Sequence, residues 1–91
     1  MSPRPAQRLV LFVCTGNTCR SPMAEALLRQ ALGADAGWEV ASAGLCAIPG
    51  LPASGGAVAA LRDAGGDLSA HRSRLLTPAL VRQAAVIVAL A

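Results

Sequence analysis

Hydrophobic residues follow two patterns along this chain of 91 residues. Residues 9–13 and 85–90 are continuous apolar runs, which are typical of strands buried on both faces of a parallel sheet. A third, shorter strand candidate covers residues 38–42. After Ser21 the period changes to the helical spacing of three and four, which predicts a helix ending near Gly33 and carrying Ala24, Leu27, Leu28, Ala31 and Leu32.

Two further helices are predicted in the second half of the chain. Residues 57–64 repeat the helical spacing, and the pair Gly65 and Gly66 ends that helix. Residues 48–56 are rich in proline and glycine and are predicted to be a loop. Thr77 and Pro78 form a good N-cap and first-turn pair for a third helix through about Gln83.

The order strand, helix, strand, helix, helix, strand predicts a three-layer α/β fold with a parallel sheet. We expect one domain over residues 8–91 and a disordered N-terminus over residues 1–7. The last apolar strand runs directly into the end of the chain, where it makes a poor exposed edge. The sequence is therefore predicted to be a domain truncated at its C-terminus.

Composition excludes several classes of protein. The net charge of +3 reflects eight unclustered arginines, no lysine and five acidic residues, which disfavours a nucleic-acid surface. No segment reaches the roughly 20 apolar residues of a membrane span, and there is no signal peptide, so we expect a cytoplasmic protein. Three cysteines and one histidine fit neither a disulfide framework nor a zinc site. We expect no metal and no cofactor, and the oligomeric state stays undetermined.

The segment from Cys14 to Ser21 suggests phosphate chemistry. Cys14 follows the first strand, where ligands of open α/β sheets bind. The loop can turn its backbone amides towards an anion, and the following helix adds its positive end. Gly16 permits backbone angles barred to other residues, and Asn17 tolerates the left-handed region. The predicted phosphate-binding loop comprises Thr15, Gly16, Asn17, Thr18 and Cys19.

Three side chains around this loop are candidates for catalysis. Arg20 offers a planar fork that bonds two phosphate oxygens at once. A helix N-terminus and an arginine lower the pKa of a thiol, so Cys14 can act as a thiolate that attacks phosphorus. The Ser21 hydroxyl is placed to donate to the sulfur, which stabilises the thiolate as a leaving group in a second step.

In this context the segment from Val13 to Ala26, V-C-T-G-N-T-C-R-S-P-M-A-E-A, resembles the phosphate-binding loop of the low-molecular-weight protein tyrosine phosphatases of bacteria. The resemblance continues at residues 42–44 and 68–74. It implies a phosphotyrosine protein phosphatase I-like fold, a phosphorylated protein as substrate, Cys14 as nucleophile and Arg20 as phosphate clamp.

The same resemblance assigns supporting roles. Asn17, Ser21, Ser42 and His71 would hold the loop in shape. Cys19 would be a redox partner that traps oxidised Cys14 as a disulfide, with a packed apolar thiol as the alternative. Thr18 stands where the branch acting on phosphoarginine carries threonine, so phosphotyrosine and phosphoarginine both stay open as substrates.

Two other functions also stay open. The family's general acid is an aspartate before a proline, and none of Asp35, Asp63 and Asp67 precedes one. This favours either an enzyme lacking its acid in this chain or a non-catalytic phosphate-binding fragment. Thioredoxin-coupled arsenate reductases share the fold and loop, but they need further cysteines near the end of the third strand, where this sequence has none.

Overall fold

The computed structural model describes residues 8–33 and 37–90, so the predicted disordered N-terminus lies outside the described residues. Three strands and three helices follow in the predicted order: β1 (Arg8–Cys14), α1 (Arg20–Leu32), β2 (Trp38–Gly44), α2 (Gly55–Asp63), α3 (Pro78–Gln83) and β3 (Ala84–Ala89). The strands form one parallel sheet in the order β2-β1-β3, which confirms the predicted α/β class.

The central position of β1 explains its uninterrupted apolar sequence. Its odd-numbered residues pack with β2 on one face of the sheet, where Leu76 and Leu80 cover them. On the other face, α1 contacts β2 through Glu25 and Ser42. Helices therefore cover both faces of the sheet at β1 and β2. The prediction that the second apolar run is buried on both faces was wrong, because no helix of the described residues covers β3 fully and Val86 and Ile87 are 43% and 44% exposed. The shared cluster on the α3 side consists of Leu9, Leu11, Val13, Ala41 and Ala43.

The helix ends follow local chemistry. Thr77 caps α3 by accepting a hydrogen bond from the amide of Leu80 at 3.2 Å, as the sequence predicts. Ser54 caps α2 in the same way, so α2 begins at Gly55. The prediction that the loop extends to residue 56 was therefore wrong by two residues, because Ser54 satisfies an amide of the first turn.

A second apolar cluster joins α2 to α1. Ala57 and Leu61 from α2 are almost fully buried and pack against Met23 and Ala26 of α1. Within residues 8–33 and 37–90, every helix is too short or too polar to cross a membrane.

Strand β2 pairs with one edge of β1, and β3 pairs with the opposite edge. The connections therefore diverge at the carboxyl end of β1, which leaves a crevice there. The residues that follow β1, which the sequence singles out for their chemistry, lie at this crevice.

Candidate active site

Cys14 ends β1, and residues 15–19 form a loop that leads directly into α1. Only 4% of Cys14 is exposed. The loop is fastened to the segment after β2, because the amide of Leu45 donates to the Cys14 carbonyl at 3.0 Å and that of Cys46 to the Thr15 carbonyl at 2.9 Å. The backbone around the sulfur is thereby held from outside the loop.

Two donors face the sulfur of Cys14. The Ser21 hydroxyl oxygen lies 2.9 Å from Sγ, and the amide of Asn17 donates to Sγ at 3.3 Å. Burial raises the pKa of the Cys14 thiol, but hydrogen bonds from Ser21 and Asn17 together with the charge of Arg20 outweigh it, so the pKa is lowered overall. The site favours the thiolate, which is the nucleophilic form of cysteine.

Asn17 is the centre of the hydrogen-bond network. It is fully buried and, with φ of +56°, is the one non-glycine residue of the described chain in the left-handed region. The backbone amide of Arg74 donates to its Oδ1 at 2.9 Å. Its Nδ2 therefore points the other way and donates to the hydroxyls of Ser21 and Ser42, each at 2.9 Å.

This orientation sets the direction of the other hydrogen bonds. Ser21 Oγ accepts from Asn17, which leaves the Ser21 proton free for the Cys14 sulfur. Ser42 Oγ likewise accepts from Asn17 and donates its proton to the carboxylate of Glu25. The network thus directs one hydroxyl proton towards a thiolate and another towards a carboxylate.

His71 contacts the loop from a third side. Its Nε2 lies 2.7 Å from the carbonyl oxygen of Asn17. The structure therefore brings together Cys14, Asn17, Ser21, Ser42 and His71, the residues that the sequence groups around the loop. Each makes a direct polar contact with another member of the group.

The remaining loop residues differ in exposure. Thr15, Cys19 and Arg20 are exposed, and Gly16 and Thr18 are half-buried. Cys19 is therefore not a packed apolar side chain, and all three thiols of the chain are free.

Gly16 does not use the backbone freedom that the sequence suggested for it. Its φ lies outside the left-handed region, and a Cβ there would meet nothing nearer than Thr18 Oγ1 at 3.7 Å. Asn17 takes the left-handed conformation instead, because its short polar side chain can bond locally and tolerate that backbone.

The first turn of α1 is open to an anion. Side chains cap α2 and α3, whereas no side chain of the described residues caps α1 at Cys19. The amides of an uncapped first turn attract negative groups, and the helix dipole adds to this attraction. Arg20, the first residue of α1, places a positive side chain at the same end. This end of the crevice therefore suits a phosphate group.

Sequence reasoning missed three contributors. Gly44 lets the loop approach β2, since a Cβ there would lie 2.7 Å from the Thr15 carbonyl oxygen. Arg74 orients Asn17 through its backbone, and Glu25 accepts from Ser42. Glu25 lies in the V-C-T-G-N-T-C-R-S-P-M-A-E-A segment, which could have drawn attention to it, but the sequence alone gives Glu25 no role. No group of three or more potential metal ligands occurs within residues 8–33 and 37–90.

The model of the family described as low molecular weight phosphotyrosine protein phosphatase matches residues 9–91. The chain belongs to this family. A probable low molecular weight protein-tyrosine-phosphatase, EpsP from Ralstonia solanacearum, is 50% identical over 80 residues, which are 88% of this chain and 53% of EpsP. This chain thus spans about half the length of that relative.

Relatives with other named activities share the family. An arsenate reductase from Bacillus licheniformis is 39% identical over 85 residues, covering 93% of this chain and 58% of the reductase. The structure of the YwlE arginine phosphatase from Geobacillus stearothermophilus superposes with a TM-score of 0.82 at 43% identity, covering 90% of this chain and 51% of that structure. The fold is therefore common to proteins that differ in their named substrates.

Proposed function

We propose that this chain carries the nucleophilic half of a cysteine-dependent protein phosphatase. The observation that supports it most is the sulfur of Cys14, which accepts hydrogen bonds from Ser21 and Asn17 beside the uncapped N-terminus of α1. A sulfur with two donors is suited to remain ionised, and the free amides and Arg20 suit a phosphate in front of it.

The reaction proceeds in two displacements at phosphorus. The Cys14 thiolate forms a sulfur–phosphorus bond, and the bond from phosphorus to the leaving group breaks with its electron pair on the leaving atom. Water then attacks the phosphocysteine, releasing inorganic phosphate and the thiolate. Arg20 and the loop amides bind the non-bridging oxygens as charge develops, and the Ser21 hydroxyl donates to the departing sulfur.

Protonation of the leaving group is a separate task. Hydrogen bonds from the backbone and side chain of Ser69 lower the pKa of Asp67. This keeps Asp67 ionised near neutral pH, so it is a poor proton donor. We assign this step to none of the described residues.

The names of the relatives support one class of substrate. We propose phosphorylated protein, with phosphotyrosine and phosphoarginine as the two candidate groups. EpsP is named a probable tyrosine phosphatase and YwlE an arginine phosphatase. The half-buried side chain of Thr18 lies in the loop that would surround the phosphate, where a small polar group leaves room for a guanidinium.

The test is to mix the purified chain with a phosphotyrosine peptide or a phosphoarginine peptide and to quench rapidly in acid. We expect phosphate covalently bound to Cys14 with the preferred peptide, detected by mass spectrometry. Cys14→Ala removes the label, whereas Cys46→Ala, the same change at an exposed thiol outside the loop, retains it. Absence of label with both peptides would contradict the proposal.

Two alternatives have their own outcomes in this assay. Because an arsenate reductase is among the relatives, arsenate reduction coupled to thioredoxin, without phosphopeptide turnover, would favour that activity. Protection of the fold by inorganic phosphate without any phosphocysteine would favour a non-catalytic phosphate-binding module.

A further inference from the structure

A cleft of about 450 Å³ lies between α1 and residues 67–74, over β2. Its lining includes Ser42 and His71, which both contact Asn17 of the loop. It also includes two residues of α1 that the proposed reaction does not use, Glu25 and Arg29. These two continue the hydrogen-bond network away from the sulfur.

Glu25 is held on both of its carboxylate oxygens. One accepts the hydroxyl proton of Ser42, and the other pairs with the guanidinium of Arg29. Arg29 is itself fixed, because the same guanidinium nitrogen donates to the carbonyl oxygen of Val40 on β2 at 2.7 Å. The carboxylate is thus linked to β2 through both oxygens, by Ser42 and by the exposed side chain of Arg29.

We infer that Glu25, held by Arg29, is a positioning residue for the Cys14 thiolate and acts through Ser42, Asn17 and Ser21. By taking the proton of Ser42, the carboxylate obliges Ser42 Oγ to present a lone pair to Asn17 Nδ2. Together with the Arg74 amide on Oδ1, this bond holds the Asn17 amide with its second Nδ2 proton on Ser21, and the Ser21 proton goes to the sulfur.

The sign of the effect separates this role from a simple charge effect. A negative charge near a thiolate disfavours ionisation, so removing a carboxylate should by Coulomb's law make Cys14 easier to ionise. Loss of the positioning role should instead make Cys14 harder to ionise. A glutamine can donate to Ser42 Oγ and turn the Ser42 proton towards Asn17. That proton would then oppose the Nδ2 proton of Asn17 across a 2.9 Å contact, which tilts the amide against its bond to Arg74 and weakens the bond from Ser21 to the sulfur.

The experiment measures alkylation of Cys14 by iodoacetamide against pH in the 91-residue chain, read peptide by peptide by mass spectrometry. We expect Glu25→Gln to slow the reaction at about pH 6 by about threefold or more, the factor for losing one modest hydrogen bond. Glu39→Gln is the matched control, since Glu39 is an exposed carboxylate lining the same cleft. It is expected to leave the rate unchanged or slightly raised.

Two further variants keep the test decisive. Arg29→Gln retains the Glu25 carboxylate but removes its ion pair, and it should also slow alkylation of Cys14. In a chain that carries Ser42→Ala, adding Glu25→Gln should change the alkylation rate little, because the hydroxyl that links Glu25 to Asn17 is already absent. A rate that rises or stays unchanged in Glu25→Gln, or full additivity with Ser42→Ala, would overturn the inference. Alkylation of Cys46 in the same samples and the thermal midpoint report any general loss of structure.

The positioning role of Glu25 rests on the proposed function only in that the thiolate is taken to be catalytic. The positioning role and the proposed function fail in different ways. If wild-type Cys14 reacts like an ordinary thiol, the proposed nucleophile is contradicted. If it reacts as a stabilised thiolate that Glu25→Gln does not affect, the proposed function stands and the positioning role is wrong.

Discussion

Replacing Gly44 with alanine is expected to push the phosphate-binding loop away from β2. A Cβ at position 44 would lie 2.7 Å from the carbonyl oxygen of Thr15, 2.9 Å from the Cβ of Ala47 and 3.0 Å from the amide nitrogen of Asn17. Two of these atoms belong to the loop backbone, and the Thr15 carbonyl is already bonded to the amide of Cys46. Neither can move like the end of a flexible side chain.

The cost has a structural and a chemical part. Inserting a methyl group into packed surroundings typically costs about 1–3 kcal/mol, and contacts with backbone atoms place Gly44→Ala at about 2 kcal/mol of lost unfolding free energy. The amide of Asn17 also donates to the Cys14 sulfur at 3.3 Å. Displacing it weakens that bond, so the pKa of Cys14 should rise.

Urea unfolding followed by the fluorescence of Trp38, the single tryptophan, measures the first part, and alkylation against pH measures the second. The matched control is Gly56→Ala in α2, where a Cβ meets no atom within 4 Å. Alanine should stabilise that helix by about 0.5–1 kcal/mol. Equal stability of the two variants, with unchanged Cys14 reactivity in both, would refute the reasoning.

Three further predictions follow from the same contacts. Ser21→Ala removes the hydroxyl 2.9 Å from the sulfur and should raise the pKa of Cys14, seen as slower alkylation at about pH 6. Asn17→Gly should be more stable to urea than Asn17→Ala by about 1 kcal/mol, because φ is +56°. Folding lowers the pKa of Cys14, so the thiolate stabilises the folded state. This stabilisation is complete above the unfolded-state pKa of about 8.5 and is lost as pH falls through the folded-state pKa. The difference in unfolding free energy between the wild-type chain and Cys14→Ala should therefore increase with pH across that window. A difference that stays constant or falls with pH would contradict this.

Local sequence carried enough information for the elements and for the residues nearest the sulfur. The apolar run of β1 and the capping pair at Thr77 report on local geometry, and both were placed correctly. The left-handed conformation of Asn17 is one that its side chain tolerates, as the sequence indicates. Gly16 does not adopt such a conformation, because glycine permits unusual angles without requiring them.

The contacts that orient the network could not be read from local patterns. Arg74 reaches Asn17 across 57 positions of the chain, and it does so with its backbone amide, which any residue other than proline carries. Gly44 matters because of how β2 lies beside the loop, and nothing in its neighbours signals that approach. Such contacts depend on the register of the sheet, which is a tertiary property.

Nearly all of the anchors of the loop come from later parts of the chain. The segment after β2 fixes the carbonyls of Cys14 and Thr15, and the amide of Ser54 donates to the carbonyl of Thr18 at 2.8 Å. The backbone amide of Arg74 fixes Asn17. The loop sequence alone therefore does not make the reactive sulfur; the assembled sheet does. Because these anchors are lost together on unfolding, the reactivity of Cys14 should follow the cooperative unfolding of the whole domain rather than a local opening of the loop.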